Sequence, residues 1–267
     1  MEAGDPAALA HYISQDYASV EGWCWEYNWQ PIQYLAAEQA RIGARGPIAE
    51  IGVFHGKFFI GLCLLKRGLG PHVGIDIFDQ QEYSLAGDGT RIRVPKEQSD
   101  AQFGAFRANM ERCGVDLGEV SILQTDSTNV LAREIEGRVP GFRKFSLFSV
   151  DGCHEFTHAY NDIGIAMELT DSNGIIFVDD YLHNRWPGAH EAVAKLMFCG
   201  APKFVPLYYI HNKLAMCHVN YHHAYLTGLE AFYRSKHPGA GVRRVTRYGW
   251  MTLTIEPKVG DPILAPE

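Results

Sequence analysis

The chain has 267 residues, 46% of them hydrophobic, which is enough for one large α/β unit with a sizeable core. Its 31 acidic and 24 basic residues give a net charge of −7 with no basic run, which argues against nucleic acid as a partner. No apolar run reaches the roughly 18 residues of a membrane span, the start MEAGDPAALAHY lacks a secretory pattern, and the six cysteines form no C-x-x-C pair, so a cytoplasmic protein with reduced thiols and no membrane partner is expected.

Residues 1–46 contain helix-forming stretches and the aromatics Trp23, Trp25, Tyr27, Trp29 and Tyr34 before any strand-like run. They predict a helical N-terminal cap whose aromatics mainly supply packing area. From Pro47 to residue 256 short apolar runs alternate with helical patterns. Strands are expected at 48–53, 72–78, 120–124, 145–150 and 174–178, with helices at 58–67, 99–113, 129–136 and 158–170 between them. Such alternation implies a mostly parallel sheet covered by helices on both faces. The segment 81–97 has no period and reads as a loop or lid. A helix at 190–198 follows, then strands at 203–211 and 213–219 joined by a tight His211-Asn212 turn, an antiparallel hairpin closing the sheet. A strand is expected at 247–255, and 257–267 reads as a loose tail.

Ligands of such sheets sit beyond the carboxyl ends of the strands, and the acids fall there. Glu50 lies in the first strand, Asp76 toward the end of the second, Asp126 after the third, Asp151 after the fourth, and Asp179 with Asp180 after the fifth. The turn from Glu50 to Gly56 carries Gly52 and Gly56, which let backbone approach a ligand. It lacks the Gly-Lys-Ser/Thr ending of a phosphate loop and the glycine spacing of a dinucleotide fold. Asp76 is placed to accept the two hydroxyls of a ribose. Asp126 with Ser127 reads equally as an adenine contact or as the cap of the next helix. Asp151, Asp179 and Asp180 end neighbouring strands, so their carboxylates can converge on a hard divalent ion such as magnesium, although an Asp-Asp pair after a strand also serves turns and caps. His218 and His222 are read as packed or solvated and not as a metal pair.

The segments Ala49-Glu-Ile-Gly-Val-Phe-His-Gly56, Gly74-Ile-Asp-Ile-Phe78, Val150-Asp-Gly-Cys-His154 and Ile176-Phe-Val-Asp-Asp-Tyr181 together resemble class I methyltransferases, most closely the branch of macrocin and aminocoumarin sugar O-methyltransferases. The resemblance spans about residues 47–220 and rests on joint order and spacing. It implies a Rossmann-like sheet and S-adenosylmethionine as cofactor, with Glu50, Gly52, Phe54 and Gly56 toward its methionine half, Asp76 at the ribose, and Asp126 with Ser127 at the adenine. Phe54 stands where the family often has a further glycine. The resemblance also points to magnesium on Asp151, Asp179 and Asp180, and to methyl transfer onto a hydroxyl of a small molecule, a natural-product sugar first and a catechol-like phenol second.

The general base is expected at His154, three residues after Asp151, because relatives carry a base near this place and the alternative Cys153 is a poorer one at neutral pH. Acceptor contacts are expected from 81–97, the N-terminal aromatics and His183, Asn184 and Arg185. The N-terminal helices offer a surface for a homodimer. Two other readings of the same residues stay open: a cofactor-binding partner subunit without catalysis, and a same-fold enzyme of another reaction such as hydroxylation.

Overall fold

A computed structural model describes residues 5–78 and 101–263 with their side chains, and the backbone alone of 82–84, 91–93 and 96–100. Chain entry follows local rules. Asp5 accepts the Ala8 N–H and Pro6 takes the first helical position, so α1 (Pro6–His11) starts there and runs on through a wider π-helical turn and a tighter 3-10 turn as far as Ser19. Next come α2 (Trp29–Arg41), β1 (Ile48–Ile51), α3 (Lys57–Leu65), β2 (His72–Asp76), β3 (Glu82–Ser84), β4 (Arg91–Arg93) and α4 (Lys96–Arg112). The chain continues through β5 (Val120–Gln124), α5 (Ala132–Arg138), β6 (Phe145–Val150), α6 (Phe156–Leu169), β7 (Thr170–Val178) and α7 (Gly188–Phe198). It ends with β8 (Phe204–Ile210), β9 (Lys213–His218), α8 (Val219–Lys236), β10 (Gly241–Arg247) and β11 (Trp250–Glu256).

Nine strands form one sheet in the order β10-β11-β8-β9-β7-β6-β1-β2-β5. The run from β7 to β5 is parallel, β9 is antiparallel to both β7 and β8, and β11 is parallel to β8. Alternation along the strands splits the core between two faces. On β7, Ile175 and Phe177 pack with α2, α3 and α8, while Ile176 and Val178 pack with α6 and α7. The order reverses between β1 and β6, where a crevice opens at the carboxyl ends.

The N-terminal helices are pinned by Trp29, which is fully buried. A Cβ on Gly61 would stand 2.3 Å from its ring, so only glycine in α3 admits the indole. Truncating such a residue costs roughly 3–5 kcal/mol.

Several expectations are corrected. The strand at 174–178 begins at Thr170, and the expected 247–255 strand is one arm of a hairpin with β10. The expectations contained no helix at α8. Residues 257–263 are not loose, because Gln30 Nε2 donates to the Pro262 carbonyl at 2.7 Å and Ile263 packs on the core. Within 81–97, β3 and β4 pair as a small antiparallel ribbon, Lys96 and Glu97 open α4, and the rest of the expected loop or lid lies outside the described residues. Among the described residues no helix is long and apolar enough to cross a membrane.

Candidate active site

At the end of β1 the chain turns sharply, with Gly52 at φ +84°, Phe54 at +47° and Gly56 at +90°. The Phe54 N–H donates to Asp76 Oδ2 at 3.0 Å and the Phe78 N–H to Oδ1 at 2.9 Å, which locks the acid at the end of β2 to the turn. Each Asp76 oxygen retains a lone pair, as a diol ligand needs. Burial raises the Asp76 carboxyl and the surrounding N–H groups pull it back down. Gly52 also faces the other half of the crevice: a Cβ there would stand 2.1 Å from the Asp151 carbonyl oxygen.

Five non-glycine residues among those described have left-handed backbone. Four of them, Phe54, Phe78, Asp180 and His211, stand around this crevice. Such conformations cost about 1–3 kcal/mol each and collect where geometry serves function.

Of the two readings open for Asp126, the structure shows the cap. Asp126 Oδ1 accepts the Thr128 N–H at 2.8 Å and its hydroxyl at 2.7 Å, so it caps the short turn Ser127–Asn129. The Ser127 carbonyl accepts from Asn161, and its hydroxyl lies with Asp162. Asp162, on α6, was missed. It is buried, its Oδ2 finds no partner, and a Cβ on Gly152 would stand 3.1 Å from that oxygen. An acid on the buried face of an amphipathic helix was the available signal.

Beyond β6 and β7 the acids are partnered by side chains. Asp179 Oδ2 is 2.9 Å from Lys213 Nζ, both almost fully buried. Burial alone would raise the Asp179 carboxyl, and the Lys213 ammonium reverses this and holds it low. Burial and the neighbouring Asp179 push Asp151 well up. Burial pushes Glu50, also buried, up to about 8, against the pull of Lys213. Asp180 accepts from Asn212 Nδ2 at 2.7 Å and lies 3.1 Å from His154 Nε2. Burial lowers His154, partly offset by Asp180 and Asp179. Trp186 lies against its ring.

These contacts do not suit a divalent ion. Among the described residues the only three His, Cys, Asp or Glu groups with ligand atoms within 4.8 Å of one another are Cys153, Glu155 and His158, on the turn into α6. Asp151, Asp179 and Asp180 do not meet that condition, and two of them already hold Lys213, His154 and Asn212. His218 caps α8, and His222 Nε2 sits 2.8 Å from the Met251 carbonyl, so both are structural.

The N-terminal aromatics divide. Trp29 is core, whereas Trp23 is 82% and Trp25 61% exposed, which corrects their reading as packing. Trp23 lies over Phe54 and Trp25 stacks on His211, with centroids 5.5 and 5.1 Å apart. Both indoles therefore stand at the rim of the crevice. A surface cavity of about 870 Å³ near Asp171, Lys203 and His218 lies at the other end of the sheet, away from every convergent acid.

Residues 49–181 match the family model described as a methyltransferase domain. The chain therefore carries a methyltransferase domain over these residues. Among solved structures, the O-methyltransferase NovP is similar with a TM-score of 0.55 at 12% identity, over 72% of this chain and 79% of NovP. CalS11, described as calicheamicin methyltransferase, is similar with a TM-score of 0.52 at 15% identity, over 80% of this chain and 86% of that one. At these identities the likeness concerns the fold, and it agrees with the mixed sheet described above. No curated protein sequence matches the chain.

Proposed function

We propose that the chain is an S-adenosylmethionine-dependent O-methyltransferase acting on a hydroxyl of a small molecule, in the branch of the macrocin and aminocoumarin sugar enzymes. The observation that carries this is Asp76, locked to the Gly52–Gly56 turn yet keeping a free lone pair on each oxygen, at the ribose position of the family. The orphaned Asp162 oxygen beside Gly152 further supports a polar ligand in the same crevice. Glu50, Gly52, Phe54 and Gly56 would line the methionine half, and Asp126 and Ser127 the adenine. Bound there, the cofactor supplies an electrophilic methyl group on a sulfonium.

The remaining work falls to side chains. His154 donates Nε2–H to Asp180, which leaves Nδ1 free to take the proton of an acceptor hydroxyl. Trp23 and Trp25 offer flat apolar faces on which a sugar or aryl acceptor can lie. The sugar class rests on the sequence resemblance. Residues 47–256 form the catalytic unit in this reading, with 1–46 contributing the indoles. This reading places no magnesium on Asp151, Asp179 and Asp180, because Asp179 is held by Lys213 and Asp180 by His154 and Asn212.

Calorimetry with S-adenosylhomocysteine tests the reading, with one equivalent bound as the expected result. No binding would overturn it, together with the alternative of a cofactor-binding partner subunit, and would leave a same-fold enzyme of another reaction. With an accepted substrate in hand, His154→Ala should lower turnover about a hundredfold while leaving that binding intact. Unchanged turnover across pH 6–9 would remove His154 from the chemistry.

A further inference from the structure

Lys213 was not singled out by any motif, and the mechanism above does not use it. It opens β9 directly after the His211-Asn212 turn, and its side chain is 2% exposed. Groups from five elements surround it. Asp179 follows β7, Asp151 follows β6, Glu50 lies on β1, the Phe58 ring of α3 stands 4.5 Å from Nζ, and Cys24 approaches from the N-terminal segment. A lysine is rarely this buried without a paired anion. Here the anion is a carboxylate that the family resemblance assigns to a metal.

We propose that Lys213 takes the place of a divalent ion in this site: its ammonium, fixed by Asp179 and facing Asp151, is a built-in cation, and the enzyme transfers methyl groups with no bound metal. The inference rests on the methyltransferase reading and deepens it. The charge count supports it. The Lys213 ammonium and the Asp179 carboxylate, 2.9 Å apart and both almost fully buried, cancel each other's charge. An incoming dication would find no free pair of carboxylates, and it would have to sit beside a like charge that is bolted to one of its ligands. Asp179 Oδ2, 2.9 Å from Nζ, engages one of the three ammonium N–H groups. Spare N–H donors therefore remain in the place where a metal would present open coordination positions.

The ion pair makes Lys213 a positioning residue, and manganese is the probe that separates it from a merely structural lysine. Electron paramagnetic resonance of the full chain with Mn²⁺ should show no bound ion at protein concentrations of tens of micromolar. S-adenosylhomocysteine affinity and methyl transfer should be the same in EDTA as in magnesium. Lys213→Met, similar in length and uncharged, should then gain Mn²⁺ affinity by at least tenfold, since Asp179 and Asp151 are released. Tight Mn²⁺ binding by the wild type, or activity lost in EDTA and restored by magnesium, would overturn the inference. A folded Lys213→Met that gains no Mn²⁺ affinity would overturn it as well. If that variant does not fold, Lys213→Met with Asp179→Asn supplies a charge-balanced control, and the wild-type manganese and EDTA measurements decide. Failure of S-adenosylhomocysteine to bind at all would strike the methyltransferase reading instead, so the two failures are distinguishable.

Discussion

At the ends of β1 and β2 the key acid is fixed by main-chain N–H groups, whereas at the ends of β6, β7 and β9 the acids are fixed by other side chains. Asp76 is bound to Phe54 and Phe78 through their amides. Asp179 is bound to Lys213, and Asp180 to His154 and Asn212. The first wall is rigid because the turn is rigid, and it suits a ligand that is the same in every turnover. The second wall depends on charges that compensate one another, and changing one partner there strands the rest. Specificity and proton transfer belong on such a wall, since one family can vary it while keeping the other.

The largest expected effect comes where the two walls touch. Gly52→Ala would place a methyl 2.1 Å from the Asp151 carbonyl oxygen, at a φ of +84° that alanine dislikes. The turn and the β6 exit must then separate. A loss of at least roughly 3 kcal/mol is expected by chemical denaturation, with loss of S-adenosylhomocysteine binding. Gly43→Ala isolates the backbone contribution, because Gly43 has φ +75° and open space around its Cβ. That variant should lose only about 1 kcal/mol. Equal losses in the two variants would mean that the walls do not press on each other at Gly52.

The same division explains what could be read from the sequence. The strand-end acids and the turn of the first wall are local, so an apolar run followed by Glu50, Gly52 or Asp76 announces them. Asp151 and the Asp179-Asp180 pair were equally visible, but their partners were not. Lys213 at the start of a strand reads as an exposed charge, and only the packing of β9 against β7 under Phe58 buries it. The indoles illustrate the converse, since Trp23, Trp25 and Trp29 look alike in sequence and Gly61 admits only the last. Helix α8 escaped because Gly228 and the aromatic, histidine-rich stretch around it are weak helix formers. Tyr225, Leu226, Leu229 and Tyr233 nevertheless define a buried stripe.

A smaller effect is expected from the first wall alone. Asp76→Ala removes the acceptor of two backbone N–H groups and, in the proposed reading, of the ribose hydroxyls, yet leaves the glycine turn in place. S-adenosylhomocysteine affinity should fall by about 1.5–3 kcal/mol, roughly tenfold to a hundredfold, while Mn²⁺ binding and the Lys213 ion pair stay as they are. Unchanged affinity by calorimetry would move the ribose away from Asp76. It would also remove the distinction between a cofactor wall and an acceptor wall.

The smallest effect sharpens the contrast between two buried aspartates, one paired with a lysine and one not. Lys213 holds Asp179 low, whereas burial pushes Asp162 up to about 6, only partly opposed by Ser127 and Asn161. Since the folded value of Asp162 exceeds the ordinary carboxylate value near 3.9, the folded state binds the extra proton between about pH 4 and 6. Its contribution to stability is therefore complete below pH 4, declines through that window, and is lost above pH 6, where a charge is buried with an unpartnered oxygen. Asp162→Asn keeps the shape and cannot ionise. Relative to the wild type, it should be more stable by about 1–3 kcal/mol in urea at pH 8, with the difference vanishing near pH 4. The new amide must still find acceptors beside Gly152, which sets the lower end of that range. A variant that is less stable at pH 8 would mean that the Asp162 carboxylate is satisfied in the folded chain, and that the absence of a cation on this wall carries no cost.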